Sequence, residues 1–341
     1  MQNVKVNLKD RSYEIKFAEL TRLGECVRPL VRGENVLVVT DDNVEKFHLD
    51  SAKKSLEKCG FKVFEKVVAH GEKSKTPNNY LDVVHTLASN GFLRDDTVVA
   101  LGGGVIGDMA GFAAATYMRG INLVQVPTSL LAMIDSSIGG KVGVDLPEGK
   151  NLLGAFYQPK LVFTDVNTLG TLPECEWKNG LGEGLKYAIL CGGRLFDIMD
   201  GDVKNDLEEF VRLCAEYKAQ IVEKDEKEGG LRRLLNLGHT LGHAIEKASG
   251  YSVSHGEAVK YGLKLILQAS VKEGGEAKDI ERAIALVEKY RADCPFDVKT
   301  LLPLVRNDKK AENASINAVL VKRIGECYVE KLSFEDFEKL F

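Results

Sequence analysis

The chain changes rhythm part-way along its length, and that change limits the folds open to it. Up to about residue 166, short apolar runs alternate with helical patterns. Asn35-Val-Leu-Val-Val-Thr40, Phe61 to Ala69, Asp96-Thr-Val-Val-Ala-Leu101, Asn122 to Val126 and Leu161-Val-Phe-Thr-Asp-Val166 read as strands. Residues 44–58, Pro77 to Ser89 and Val105 to Met118 carry apolar positions at helical spacing. Apolar strands separated by helices predict a mainly parallel sheet covered on both faces. From Glu174 onward the predicted segments are helices, over 174–190, 204–228, 234–249, 255–273 and 276–290, while Ile316 to Leu320 stays ambiguous. The break falls at Leu172-Pro173. It predicts an α/β N-terminal domain over 1–172 and an all-α C-terminal domain over 173–341. The Gly-rich, polar stretch Asp135 to Pro159 reads as a long functional loop.

Composition narrows the function classes. The 341 residues carry 46 Lys plus Arg against 50 Asp plus Glu, a net charge of −4. That balance argues against a coat for nucleic acid or an anionic membrane. The longest charge-free run, Gly120 to Ile134, is interrupted by Pro127 and is too short to span a bilayer. Met1 to Arg11 is polar and lacks the apolar core of a signal peptide, so the expected residence is the cytoplasm. The 7 cysteines are odd in number, widely spaced and form no CxxC, which disfavours a disulfide framework or a thiolate metal site.

Several motifs point to chemistry. Gly102, Gly104 and Gly107 satisfy G-x-G-x-x-G between a strand and a helix, the context for a diphosphate at a helix N-terminus. The usual acid some twenty residues downstream is missing, since no Asp or Glu lies between Met109 and Ile134. Asp41, at the end of an earlier strand, is the candidate to replace it. Lys141, Lys150 and Asn151 place donors on a Gly-rich scaffold suited to carboxylate or phosphate. His239 and His243 are i, i+4 on one helical face, and His255 follows at the start of the next helix. Three such groups suggest a divalent metal site, with Glu183, Glu246 or Glu257 as a further ligand; spacing does not decide which two histidines bind. Glu183 and Lys186 share a helical face beside glycines that cost helix stability, a cost that close approach to a ligand would explain. The basic run Lys218, Lys224, Lys227, Arg232 and Arg233 reads as a solvated face, balanced by Glu223, Asp225, Glu226 and Glu228.

Taken together, these segments resemble the 3-dehydroquinate synthase family, the cyclases of the shikimate pathway. The resemblance rests on Gly102-Gly-Gly-Val-Ile-Gly-Asp-Met-Ala-Gly-Phe112, Ala115-Thr-Tyr-Met-Arg119, Val126-Pro-Thr-Ser-Leu-Leu131, Asp135-Ser-Ser-Ile-Gly-Gly-Lys141 and Gly149-Lys-Asn-Leu-Leu-Gly-Ala-Phe156. It continues through Gly182-Glu-Gly-Leu-Lys-Tyr187, Asn236-Leu-Gly-His-Thr-Leu-Gly-His-Ala-Ile-Glu246 and His255-Gly-Glu257. It implies an NAD-binding domain, a helical metal-binding domain, an active site in the cleft between them, and a homodimer. The implied metal ligands are Glu183, His239 and His255, holding Zn2+ or Co2+, which leaves His243 for substrate. The implied substrate set is Asp135, Lys141, Lys150, Asn151, Lys186, Lys218, Arg232, Asn236 and His243. Arg119 would reach the neighbouring subunit's site, and Lys310, with Lys309 as the alternative, would contact phosphate. The implied NAD set is Asp41, Asn43, Glu72, Lys75, Gly103, Gly104, Val105, Asp108, Thr128, Ser129 and Thr171, with Lys141 and Lys150 at its edge. The chain has Ser129, Val142 and Asp145 where the commonest family pattern has Thr, Thr and Asn.

The resemblance implies a phosphorus–oxygen lyase acting on a seven-carbon keto sugar acid phosphate. NAD+ would take a hydride from C5 and return it, so that phosphate loss and ring closure proceed without net oxidation. Two alternatives share the architecture: another sugar-phosphate cyclase, and a metal-dependent polyol dehydrogenase. The lysine-rich stretch 135–151 and Arg232 favour an anionic substrate over a neutral polyol, and Arg232 favours a carboxylic acid over a plain sugar phosphate.

Overall fold

The computed structural model describes residues 2–291, 296–308 and 315–341. The chain forms two compact units, Met1–Glu176 with Lys218–Glu223, and Trp177–Tyr217 with Lys224–Phe341.

In the first unit the strands are β1 (Val4–Val6), β2 (Tyr13–Phe17), β3 (Asn35–Asp41), β4 (Lys62–Val68), β5 (Thr97–Gly102), β6 (Asn122–Pro127), β7 (Lys141–Leu146), β8 (Gly149–Phe156) and β9 (Leu161–Thr164). The helices are α1 (Leu23–Val27), α2 (Asp50–Lys58), α3 (Pro77–Ser89) and α4 (Gly104–Thr116). Seven strands form one sheet in the order β1-β2-β9-β6-β5-β3-β4. Only the β1–β2 pairing is antiparallel; every other neighbour pair is parallel. The apolar runs are explained by burial on both faces. Val36, Val38, Val99 and Leu101 pack with Ala52 and Leu56 of α2 on one face, while Leu37, Val39, Val98 and Ala100 pack with Ile106 and Met109 of α4 on the other. Paired strands β3 and β5 therefore send their outgoing loops to opposite faces. Such a reversal opens a crevice at the carboxyl ends of parallel strands.

Two parts of this unit differ from the sequence expectation. β1 and β2 add an edge that the sequence reading passes over, because Tyr13 and Ile15 alternate with Glu14 and Lys16 in too short a run to read. The stretch 135–159 is not a long loop: β7 and β8 form an antiparallel hairpin. β7 buries Val142 and Val144, but most of β8 is exposed, so period-2 burial never marks the pair as strands.

The second unit holds α5 (Glu174–Cys191), which starts three residues before the unit does, then α6 (Gly193–Asp200) and α7 (Leu207–Lys224), whose residues Lys218–Glu223 group with the first unit. There follow α8 (His239–Ala248), α9 (His255–Lys272), α10 (Ala277–Lys289), α11 (Val298–Asp308) and α12 (Phe334–Lys339). The expected helix over 234–249 is a 3-10 turn, Leu231–Asn236, followed by α8. Among the described residues, the C-terminal unit expected to be all-α is helical with the addition of an antiparallel hairpin of β10 (Ser315–Arg323) and β11 (Glu326–Ser333). The ambiguous Ile316 to Leu320 lies in β10, with Ile316, Ala318 and Leu320 buried. Among the described residues, no helix is long and apolar enough to cross a membrane.

The glycines beside Glu183 serve helix packing rather than ligand approach. A side chain on Gly182 would overlap the carbonyl of Gly256, and one on Gly256 would overlap the carbonyl of Asn179. α5 and the start of α9 thus touch backbone to backbone, and Asn179 Oδ1 accepts the Gly256 N–H at 2.6 Å. Gly256→Ala should destabilise the protein by about 2–3 kcal/mol, measured by denaturant unfolding. Gly170→Ala, where an added Cβ meets nothing within 4 Å, should change stability far less.

Candidate functional site

In the first unit the G-x-G-x-x-G motif forms the β5–α4 junction. Gly103 caps α4 without a side-chain hydrogen bond, leaving the first amides of the helix to a ligand or solvent. The helix lies close to the sheet because Gly107 has no side chain: a Cβ there would come 2.8 Å from Gln125 Oε1. Across the crevice, Asp41 ends β3, and its Oδ1 accepts the Asn43 and Val44 N–H groups at 3.0 Å each. Because β3 is paired with β5, this acid from upstream in the chain ends the strand beside the Gly-rich turn. Thr128 is tied to the same junction, its N–H donating to the Gly102 carbonyl at 3.0 Å. Ser129 keeps a hydroxyl where the family pattern has Thr, and its Oγ accepts the Ala132 N–H at 3.3 Å. The Thr171 hydroxyl donates to the Thr168 carbonyl at 2.9 Å and so accepts from His48 Nε2 at 2.8 Å. Sequence reasoning missed His48, because only the fold brings it to Thr171.

A charged cluster lies beside this junction. Lys75, buried, reaches Asp108 Oδ2 at 2.6 Å and Asn151 Oδ1 at 2.5 Å. Burial opposes its charge, but the Asp108 carboxylate more than offsets that and raises its pKa. Glu72 lies 4.0 Å from Lys150. Burial pushes the Glu72 carboxyl pKa upward, against Lys75 and Lys150. Asp135 accepts from Lys218 through both its carbonyl, at 2.7 Å, and its carboxylate. The basic run is a solvated face only in part: Lys224 and Lys227 are exposed, but Lys218 is 5% exposed and Arg232 is 2% exposed. A buried lysine needs a partner, and Asp135 supplies it. Lys141 is exposed, at the start of β7.

In the second unit three donors converge. Glu183 Oε1 lies 3.0 Å from His255 Nε2 and 3.3 Å from His239 Nε2. The ligand atoms of Glu183, His239 and His255 all fall within 4.8 Å of one another. The remaining ring nitrogens are engaged on the far sides, His239 Nδ1 with the Leu237 carbonyl at 3.1 Å and His255 Nδ1 with Glu246 Oε2 at 3.3 Å. Metal-binding histidines are held in this way, with the second nitrogen on a carbonyl or carboxylate. Glu183 Oε2 is buried and accepts no hydrogen bond; Lys186 Nζ stands 2.5 Å away as an ion pair. Burial opposes the Glu183 charge, but Lys186 and the two imidazoles hold its carboxyl well below the usual range. Burial likewise opposes charge on His255, yet Glu183 and Glu246 push its pKa up to about 10. The point where the three side chains meet therefore demands positive charge, and the donor set fits a divalent cation with one carboxylate and two imidazoles.

A second group, His243, Glu246 and His255, also brings ligand atoms within 4.8 Å. It is the poorer fit, because Glu246 already accepts from the outer nitrogen of His255 and His243 is exposed. Nearby, Asp225 shapes the loop after α7 by accepting the N–H groups of Gly229, Gly230 and Arg232. Arg232 donates to the Glu226 carbonyl at 2.5 Å, and Asn236 Nδ2 donates to Glu228 Oε1 at 2.9 Å. Sequence reasoning missed Glu228, read there only as charge balance; its positive φ of 62° marks a constrained turn. Arg119 is exposed in the first unit, in a turn where Met118 and Arg119 both have positive φ. Lys309 and Lys310 lie outside the described residues.

Comparison with known proteins agrees with this geometry. Residues 65–179 match the sequence model of the 3-dehydroquinate synthase N-terminal region, and residues 180–311 that of the C-terminal region. The chain belongs to the 3-dehydroquinate synthase family. It is 40% identical over 353 residues to the 3-dehydroquinate synthase of Clostridium acetobutylicum, covering 99% of each chain. It is similar in fold to 2-deoxy-scyllo-inosose synthase, solved with carbaglucose-6-phosphate, NAD+ and Co2+, at a TM-score of 0.87, 24% identity and 99% coverage of both chains. It is also similar to the 2-epi-5-epi-valiolone synthase of Streptomyces hygroscopicus subsp. jinggangensis, solved with NAD+ and Zn2+, at a TM-score of 0.84 and 25% identity, covering 98% of this chain and 97% of that one.

Lys75→Met would leave Asp108 as an uncompensated, largely buried charge. It should cost about 3 kcal/mol of stability, read from urea unfolding. The double variant Lys75→Met with Asp108→Asn should lose less than Lys75→Met alone, since the stranded charge is gone.

Proposed function

We propose that this chain is a 3-dehydroquinate synthase, converting 3-deoxy-D-arabino-heptulosonate 7-phosphate to 3-dehydroquinate and phosphate in the shikimate pathway, with NAD+ and Zn2+ or Co2+. The observation that carries the reading is its 40% identity to the Clostridium enzyme over 99% of both chains. The related cyclase solved with NAD+ and Zn2+ supports the cofactors. In this reading the enzyme is a phosphorus–oxygen lyase, cytoplasmic and homodimeric, with Arg119 serving the neighbouring subunit.

Glu183, His239 and His255 would hold the cation, with Glu246 and the Leu237 carbonyl fixing the two rings. Bound, the cation would supply Lewis acidity at the substrate hydroxyls, and NAD+ a reversible hydride acceptor. The chain's own residues bind and orient. Asp41 and Asn43 at the end of β3, Gly103, Gly104 and Val105 after β5, Thr128 and Ser129 after β6, and Thr171 after β9 would take the dinucleotide, with Glu72, Lys75 and Asp108 alongside. Lys141, Asn151, Asn236, His243 and Lys310 would hold the phosphate as it leaves. Lys150, Lys186, Lys218 and Arg232 would orient the carboxylate and hydroxyls, with Asp135 keeping Lys218 in place. Charged donors already fixed by buried partners lose little freedom on binding, which is how a protein guides several steps on one substrate. Since the substrate is a carboxylic acid phosphate, buried Arg232 favours this reading over a neutral polyol dehydrogenase.

Phosphate release from the seven-carbon substrate should require NAD+, stop with a chelator and return with Zn2+ or Co2+. No steady rise in NADH absorbance should accompany it; a rise would mark a dehydrogenase, and indifference to chelator would reject the metal. His239→Ala should lose stoichiometric metal and turnover together. His243→Ala should keep its metal by elemental analysis while turnover falls about 100-fold; metal loss in His243→Ala alone would reverse the two assignments.

A further inference from the structure

The β7–β8 hairpin is irregular at one place. Val144 pairs with Leu153 and Leu146 with Gly149, so Asp145 alone opposes Lys150, Asn151 and Leu152. Such bulges break the ladder and re-aim side chains. Here the bulge turns out Asn151, whose φ of 57° lies in the left-handed region that Asn tolerates better than most residues. The broken ladder strands the Asn151 N–H, and the Asp145 carboxylate takes it at 2.7 Å. The Asp145 N–H in turn donates to the Lys75 carbonyl at 2.9 Å. The ring closes through the Lys75 ammonium, which reaches Asn151 Oδ1 at 2.5 Å and Asp108 Oδ2 at 2.6 Å.

The chemistry of this ring has a direction. An ammonium only donates, so Asn151 must present its carboxamide oxygen to Lys75. Its two Nδ2 donors are not used in that bond and remain to be offered to an acceptor outside the ring. We propose that Asp145 is a positioning residue: it holds the bulge so that Asn151 offers Nδ2 to the anionic group of a phosphate-bearing ligand, with Lys150 at its side. The role needs an acceptor oxygen at position 145 rather than a negative charge, so Asn can replace Asp there. The identity of the ligand rests on the reading given under Proposed function; the positioning itself does not.

Two readouts separate these claims. Hydrogen exchange in the unliganded protein should lose protection over residues 149–153 in Asp145→Ala and keep it in Asp145→Asn. In steady-state assays of phosphate release, Asp145→Ala should raise the substrate KM about tenfold, the equivalent of about 1.4 kcal/mol, with kcat changed much less. Asp145→Asn should stay within about twofold of the wild type on both, a spread of about 0.4 kcal/mol. The double variant Asp145→Ala with Asn151→Gly should recover thermal stability, since Gly adopts the left-handed backbone freely, but keep the high KM. Unchanged exchange in Asp145→Ala, or Asp145→Asn as impaired as Asp145→Ala, overturns the proposal. Wild-type protein that releases no phosphate, with the exchange pattern as expected, overturns the functional reading and supports the positioning role.

Discussion

A carboxylate with 1% of its surface exposed is tolerated only where positive charge is brought to it. Glu183 is such a group, and the second unit is organised around it. One oxygen faces two imidazole nitrogens and the other faces the Lys186 ammonium. Those imidazoles are held from behind, by a main-chain carbonyl and by Glu246. What makes the meeting possible is the absence of side chains at Gly182 and Gly256, which lets α5 lie against the start of α9. The helix propensity given up at these glycines is recovered as the short distance between Glu183 and His255.

The first unit solves a different problem with a similar economy of parts. Its central strands bury mostly apolar side chains on both faces, and the polar groups of the candidate site lie at the strand ends. At the carboxyl ends of β3 and β5 it gathers Asp41, the Gly-rich turn and the start of α4. Beside them, Lys75 ties Asp108 to the hairpin, and Asp145 ties the hairpin back to Lys75. Lys75 and Lys218 are held by Asp108 and Asp135, so these donors are oriented before any ligand arrives.

Much of this was legible in the sequence because it is local. Period and turn chemistry show β3 to β6, α3 and α4, and i, i+4 spacing puts His239 and His243 on one face. Other elements were not legible for physical reasons. β8 is exposed along most of its length and carries no burial period. β2 is too short for its alternation to stand out. Lys218 and Arg232 sit among acids in the sequence and look solvated, whereas the fold buries both. His48 and Glu228 acquire their partners, Thr171 and Asn236, only through chain reversals.

The sequence by itself determined the change from an α/β half to a helical half, the family, and the candidate donors, because these depend on residue type and short-range spacing. Spacing left open which histidines come within reach of the Glu183 carboxylate and which acid lies beside the Gly-rich turn. Tertiary structure decided both. Backbone contact between α5 and α9 sets Glu183 against His239 and His255, and parallel pairing of β3 with β5 brings Asp41 beside the Gly-rich turn. Each outcome depends on residues far apart in sequence being packed within a few ångströms, a relation that no local pattern encodes.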